Sequence, residues 1–185
     1  DQDLKELAVK ITQSGINVEK VITNHIDNLV IGKVISCIDH PDSDHLHVCM
    51  VDVGKSEAIQ IVCGAPNIRE GLKVIVSLPG AVLPGDFEIK KGKIRGVESN
   101  GMICALYELG LEEKNDETYA KGIEELNSDA KIGEDPIKYL GLDDTLYELD
   151  IHKHRNNDCY YHIGFAYEIG AILNRRVVLP QDSFK

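Results

Sequence analysis

The chain has 185 residues, 43% of them apolar and 28% charged, a balance ordinary for a globular protein. No apolar run approaches the roughly 18 residues of a membrane helix, and the opening Asp1-Gln2-Asp3 is not a secretory signal. Twenty Lys and Arg against 31 Asp and Glu leave a net charge of −11, which excludes a protein that grips nucleic acid over its whole surface and confines any such contact to a local patch.

The five cysteines, Cys37, Cys49, Cys63, Cys104 and Cys159, are odd in number and contain no Cys-x-x-Cys pair. Reduced, buried thiols in a cytoplasmic protein are expected rather than a disulfide framework or a zinc ribbon. Asp3 to Ser14 predicts a helix. Leu4, Leu7, Ala8 and Ile11 share one face, Asp3 and Glu6 have capping-box spacing, and Gly15 is a natural stop. Ile16 to Ile22 alternates, with Ile16, Val18 and Val21 inward, and predicts a short strand.

From Asn28 onward the chain is rich in β-branched residues. Strands are expected over Leu29–Ile38, His45–Val53, Ala58–Cys63, Lys73–Leu78, Phe87–Ile94 and Gly101–Ala105. His40-Pro41-Asp42-Ser43-Asp44 is a turn by composition, and Ile68–Glu70 reads as a short helix or turn. Short strands at close spacing, punctuated by Gly and Pro, predict a small closed barrel of the OB type. Glu112–Tyr119 is polar and reads as a mobile loop, and Gly122–Leu126 as a last short strand. Asp135-Pro136 starts a short helix ending before Gly141. Leu146–Ile151 reads as a strand. Tyr160–Asn174 reads as a helix with Ile163, Ala166, Ile169, Gly170 and Leu173 on one face, and Val177–Leu179 as a brief strand before Pro180. Residues 1–26 and 143–185 are then two incomplete pieces of one small α/β domain, and the barrel, residues 27–142, is inserted between them. The fold class is mainly β with α+β flanks.

Four cations, Lys90, Lys91, Lys93 and Arg95, stand within six residues of this acidic chain. Strand alternation places Lys91, Lys93 and Arg95 on one face, and a cationic strand end predicts contact with phosphate. Ser99 and Asn67 are candidates to hydrogen-bond sugar or phosphate at the barrel mouth. Aromatic content of 5% with no Trp favours phosphate and shape recognition over base stacking. His45, His47 and Cys49 share a strand face, and His152, His154, Cys159 and His162 form a second cluster of ligand types. Neither is assigned a metal, since alternation explains the first spacing and no fourth ligand stands beside it. No nucleophile elbow, phosphate-cradling loop or zinc-protease motif is present, so no catalytic residue is assigned.

His40-Pro41-Asp42-Ser43-Asp44-His45-Leu46, Gln60 to Asn67, Leu78-Pro79-Gly80-Ala81 and Lys93 to Cys104 together resemble the tRNA-binding domain shared by several synthetases and tRNA-binding cofactors. The flanks, Gly15-Ile16-Asn17-Val18-Glu19 and Tyr139 to Asp144 with Glu148-Leu149-Asp150-Ile151, resemble the start of the bacterial phenylalanyl-tRNA synthetase β subunit. In that family the barrel is inserted into a split domain. Where the family usually has Thr-Pro-Asn-Arg this chain has His152-Lys153-His154-Arg155, and Tyr160-Tyr161 replaces Leu-Ser; Arg155, Asp158, Cys159 and Gly164 carry over.

The resemblance implies an N-terminal fragment of a longer subunit, non-catalytic in itself. Its expected partners are tRNA, the α subunit and the rest of the β subunit in an αβ heterotetramer, with no membrane. ATP and Mg serve the full enzyme, whose chemistry lies in the α subunit, and no cofactor is expected in this fragment. The alternatives are a free-standing tRNA-binding or chaperone-like module acting as a homodimer, and a purely structural domain without RNA contact.

Overall fold

The computed structural model describes residues 3–179. In chain order the elements begin with α1 (Leu4–Gln13), β1 (Asn17–Thr23), β2 (Leu29–Asp39), β3 (His47–Asp52), β4 (Ile59–Cys63) and β5 (Lys73–Ser77). Short strands follow: β6 (Val82–Leu83), β7 (Phe87–Glu88), β8 (Gly92–Ile94), β9 (Val97–Ser99) and β10 (Met102–Cys104). The last elements are α2 (Asp116–Lys121), α3 (Pro136–Tyr139), β11 (Thr145–Asp150), α4 (Asn156–Cys159) and α5 (His162–Ile172). Contacts divide the chain into two units, one from Asn24 to Asp143 and one made of the two ends, through Thr23 and from Asp144. No helix among the described residues is long and apolar enough to cross a membrane.

The larger unit is an antiparallel sheet of order β10-β5-β2-β3-β4 curled into an OB-type barrel. Its first half of β2 pairs with β5, from Leu29↔Ser77 to Lys33↔Lys73, and its second half pairs with β3, from Lys33↔Asp52 to Asp39↔His47. The register slips between Val34 and Ser36, leaving Ile35 as an extra, exposed residue, and such a bulge bends and twists the strand. At the crowded inside of the bend only glycine fits, since a Cβ on Gly32 would lie 2.8 Å from both the Val51 and Val76 side chains.

The sheet closes through the segment leading into β10. The Gln60 side chain donates to the Glu98 carbonyl at 2.8 Å, the Asn100 amide donates to the Gln60 carbonyl at 2.8 Å, and the Val62 amide donates to Ser99 Oγ at 3.1 Å. Two apolar clusters flank β5. Val74 and Val76 join Val34, Val51, Ile61 and Ile103 inside the barrel, while Ile75 joins Leu29, Leu83, Ile89, Leu109 and Ile137 on its other side. Strand alternation produces this division, and α3, started by the Asp135 cap and Pro136, supplies Ile137.

The smaller unit pairs β1 with β11 antiparallel, from Asn17↔Asp150 to Thr23↔Thr145. A bulge between Val18 and Lys20 puts Val18 and Val21 on the same side despite their odd spacing. Asp3 caps α1 by accepting from the Lys5 and Glu6 amides. Ile11, Ile16 and Cys159 form the core, packed by Leu7, Val18, Tyr147, Leu149, Phe165 and Ile169. Arg155 binds Asp158 at 2.9 Å and Glu168 at 2.8 Å and donates to Cys159 Sγ at 2.9 Å, tying α4 to α5. Gly164 allows that close approach, because a Cβ there would overlap the Asp158 carbonyl.

Five elements differ from the expectation. Phe87–Ile94 is not one strand: Ile89 leaves the line to bury in the second cluster, exchanging backbone bonds with Gly80 and Ala81 at 2.8 Å each. Ile68–Glu70, by contrast, is a turn, one of the two forms expected. The second half of Glu112–Tyr119 belongs to α2, where the Asn115 side chain accepts from the Glu117 and Thr118 amides and Thr118 Oγ1 accepts from the Asn115 amide. Gly122–Leu126 makes one bridge, Lys73↔Leu126, because the Asn67 side chain takes both backbone groups of Ile123. The last helix starts at His162 and turns Ile163 outward; Gly170 is buried and Ile169 partly buried as expected, and Gly164 and the partly buried Phe165 take the inward place of Ile163. Val177–Leu179 has no strand partner among the described residues, and Pro180 lies outside them.

Ser99→Ala, which orphans the buried Val62 amide, is expected to destabilise the chain by about 1–3 kcal/mol, seen as a lower urea midpoint with an unchanged slope. Gly164→Ala is expected to lower the midpoint markedly, whereas Gly92→Ala, with nothing within 4 Å of the added methyl, leaves it nearly unchanged.

Candidate nucleic-acid interface

β8 and β9 form a hairpin, Gly92↔Ser99 to Ile94↔Val97. Its two-residue turn is Arg95-Gly96, with φ of 46° and 85°; this is the left-handed geometry of the tight hairpin turns that match strand twist. A non-glycine residue held there costs energy and persists only where its surroundings hold it.

Two contacts hold it. The Arg95 guanidinium donates to the Asp42 carbonyl at 3.0 Å. His40, only 4% exposed, lies 3.2 Å from the Ile94 carbonyl through Nε2, while its Nδ1 accepts the Asp42 amide at 3.1 Å. Since Nδ1 is the acceptor, the ring proton sits on Nε2 and points at Ile94. The His-Pro-Asp turn thus serves as a clamp on the turn end of the cationic hairpin.

Lys90, Lys91, Lys93 and Arg95 are all exposed, but they do not form a strand face. Lys91 precedes β8, Lys93 is its middle residue, and Arg95 is in the turn. Lys90 is paired with Glu88 at 2.8 Å and Arg95 is spent on Asp42. Lys91 and Lys93 have no ion-pair partner among the described residues, although Glu98 stands across the ladder from Lys93. Ser99 is buried, its hydroxyl shared between the Val62 amide and the Gly101 carbonyl at 3.0 Å. Asn67 is likewise occupied, bonded to both backbone groups of Ile123 and 3.2 Å from Glu125.

A cavity of about 830 Å³ adjoins the hairpin, and Ile94 lines it together with Leu46 and Met102. Tyr107, Glu108 and Tyr119 also line it, and the Lys114 ammonium lies 5.5 Å from the centre of the Tyr107 ring and 5.9 Å from that of Tyr119. One Glu108 oxygen accepts the Ala105 amide at 2.8 Å; the other has no hydrogen-bond partner among the described residues. Burial pushes the Glu108 carboxyl above its ordinary range, opposed by the Ala105 amide and by Lys114. Burial also pushes the Cys63 thiol up to about 11, making it inert at neutral pH. Sequence reasoning missed this group because the low aromatic count hides where the tyrosines meet. The Asn115–Thr118 capping pair was the available signal that Tyr119 belongs to a helix.

The expected ligand-type clusters are dispersed. Cys49 is inside the barrel, and His47 faces Asp39 at 3.5 Å. His152 and His154 stack at 5.8 Å while Cys159 faces Arg155. Among the described residues no three His, Cys, Asp or Glu side chains are grouped to hold a metal ion.

Residues 29–135 match the family described as "Putative tRNA binding domain". The chain belongs to that tRNA-binding domain family. It is 52% identical to the phenylalanine–tRNA ligase β subunit of Geobacillus kaustophilus over 184 residues, 98% of this chain and 23% of that protein. It is 48% identical to the β subunit of Bacillus subtilis over 181 residues, 96% of this chain and 22% of that protein. The chain thus spans less than a quarter of these relatives and matches their N-terminal region. Among solved structures, the MetRS related protein from Pyrococcus horikoshii is 22% identical with a TM-score of 0.41, covering 57% of this chain and 84% of that one.

Replacing His40 by Phe, which fills the space without the two polar contacts, is expected to speed amide hydrogen exchange at Ile94 and Val97, the pair that closes the hairpin, while leaving β2 and β5 protected.

Proposed function

We propose that this chain is the tRNA-engaging N-terminal region of a phenylalanine–tRNA ligase β subunit. Near-continuous similarity to those subunits across both units, not the barrel alone, carries the reading. It favours a part of a synthetase over a free-standing module. On this reading the chain works with an α subunit and the rest of its own subunit in an αβ heterotetramer in the cytoplasm. The enzyme's chemistry with ATP and Mg belongs to the α subunit.

The contact we assign to RNA is local. Lys91 and Lys93 lie at a clamped hairpin and have no ion-pair partner among the described residues, so a phosphate can approach them without first displacing a carboxylate. Arg95 reaches RNA only by giving up the Asp42 carbonyl, and Lys90 only by giving up Glu88. Ser99 and Asn67 support the barrel behind the hairpin. The surrounding net charge of −11 repels RNA elsewhere and restricts how it can dock.

The test is tRNA binding by this chain in a gel shift over a range of salt. Lys91→Ala with Lys93→Ala is expected to flatten the logarithmic salt slope by about 0.7 per lost phosphate contact. An unchanged slope removes the hairpin from the interface.

A further inference from the structure

The barrel's large cavity and its cationic hairpin share Ile94, so a strand of RNA tracking the lysines passes the cavity mouth. We propose that the cavity takes an unpaired guanine base of such an RNA, a reading that rests on the function proposed above. The walls provided by Leu46, Ile94 and Met102 suit a flat, weakly hydrated ring, and the volume of about 830 Å³ lies in the range of small-molecule sites. Tyr107 and Tyr119 offer aromatic faces for stacking. The Lys114 ammonium, 5.5 and 5.9 Å from their ring centres, is placed to meet the phosphate that follows the base.

Glu108 selects the base. An ionised carboxylate only accepts hydrogen bonds, and one Glu108 oxygen has no partner among the described residues. Guanine presents two adjacent donors, N1–H and the N2 amino group, on its pairing edge. Adenine and cytosine place one amino group beside a bare ring nitrogen, whose lone pair repels the carboxylate. Uracil places its single N–H between two carbonyl oxygens. Guanine is therefore the base whose two donors this carboxylate can accept, one at the unpartnered oxygen and one at the second lone pair of the oxygen that holds the Ala105 amide.

The chain's two methionines make the test direct. Met102 lines the cavity and Met50, in β3, does not. The ¹³C-methyl signals of both are followed as short oligouridylates carrying one central guanosine, inosine or uridine are added. The guanosine oligomer is expected to move the Met102 methyl and not that of Met50. Inosine, which lacks the N2 amino group, is expected to bind about tenfold more weakly through loss of one hydrogen bond to a charged group. Glu108→Gln keeps an acceptor for the Ala105 amide and is expected to abolish the preference for guanosine over uridine. An unmoved Met102 in a chain that still shifts tRNA on a gel overturns the cavity assignment and leaves the function standing. Equal Met102 shifts with all three oligomers overturn the choice of guanine. Failure to bind any RNA in the folded chain removes both.

Discussion

A single extra residue in β2 underlies the barrel. Eleven residues of one strand must pair with β5 on one flank and β3 on the other, and a flat strand would extend the sheet without closing it. The bulge at Ile35 supplies the bend, and Gly32 lets the bent strand sit directly on Val51 and Val76. Once β2 is curled, β4 and β10 are carried round towards each other, and Gln60, Ser99 and Asn100 join the two edges. The unpaired edges that make open sheets prone to association are thereby consumed.

The same closure presents the surface proposed to meet RNA. Ser99, the last residue of β9, is bonded inside the wall, so the hairpin is rooted in the barrel at that end. His40 and Arg95 fix its other side to the turn between β2 and β3. Lys91 and Lys93 are then exposed side chains on a fixed base, so that a phosphate docking there as proposed would cost only the freedom of the side chains. In an acidic protein, placement of a few charges matters more than their number.

Much of this was readable from residue order, for reasons that differ by element. The long strands β2, β3, β4 and β5 announced themselves through β-branched runs bounded by Gly and Pro; β5 is covered on both faces, whereas β3 buries every second residue. α1 and α3 were marked by Asp caps. Gly96 marks a bend in the sequence and takes one, but the part of Arg95 in that turn was hidden because arginine is a poor signal for left-handed geometry, and only contacts with residues more than fifty positions away hold it there. Ser99 and Asn67 were chosen for polarity, yet polarity does not distinguish a side chain facing a ligand from one completing the backbone bonding of a neighbour. Ile163 was placed inward by hydrophobicity, whereas the helix packs through Gly164, where the backbone of α4 comes close. Tyr107, Glu108, Lys114 and Tyr119 meet through tertiary folding and share no sequence pattern.

The β1–β11 ladder bears on the order in which the molecule assembles. Thr23 and Thr145 are neighbours across that ladder, and everything from Asn24 to Asp143 lies in the excursion between them. The barrel's pairings are between strands adjacent or near in sequence, while every rung of the ladder waits for the whole excursion to be made. During synthesis the inserted body therefore has all its parts before its host does, since domains fold as units and distant pairings pay the larger closure entropy. By leaving and returning at facing positions, the excursion also brings its two attachment points together when it folds, so the late-forming host starts from ends already close in space.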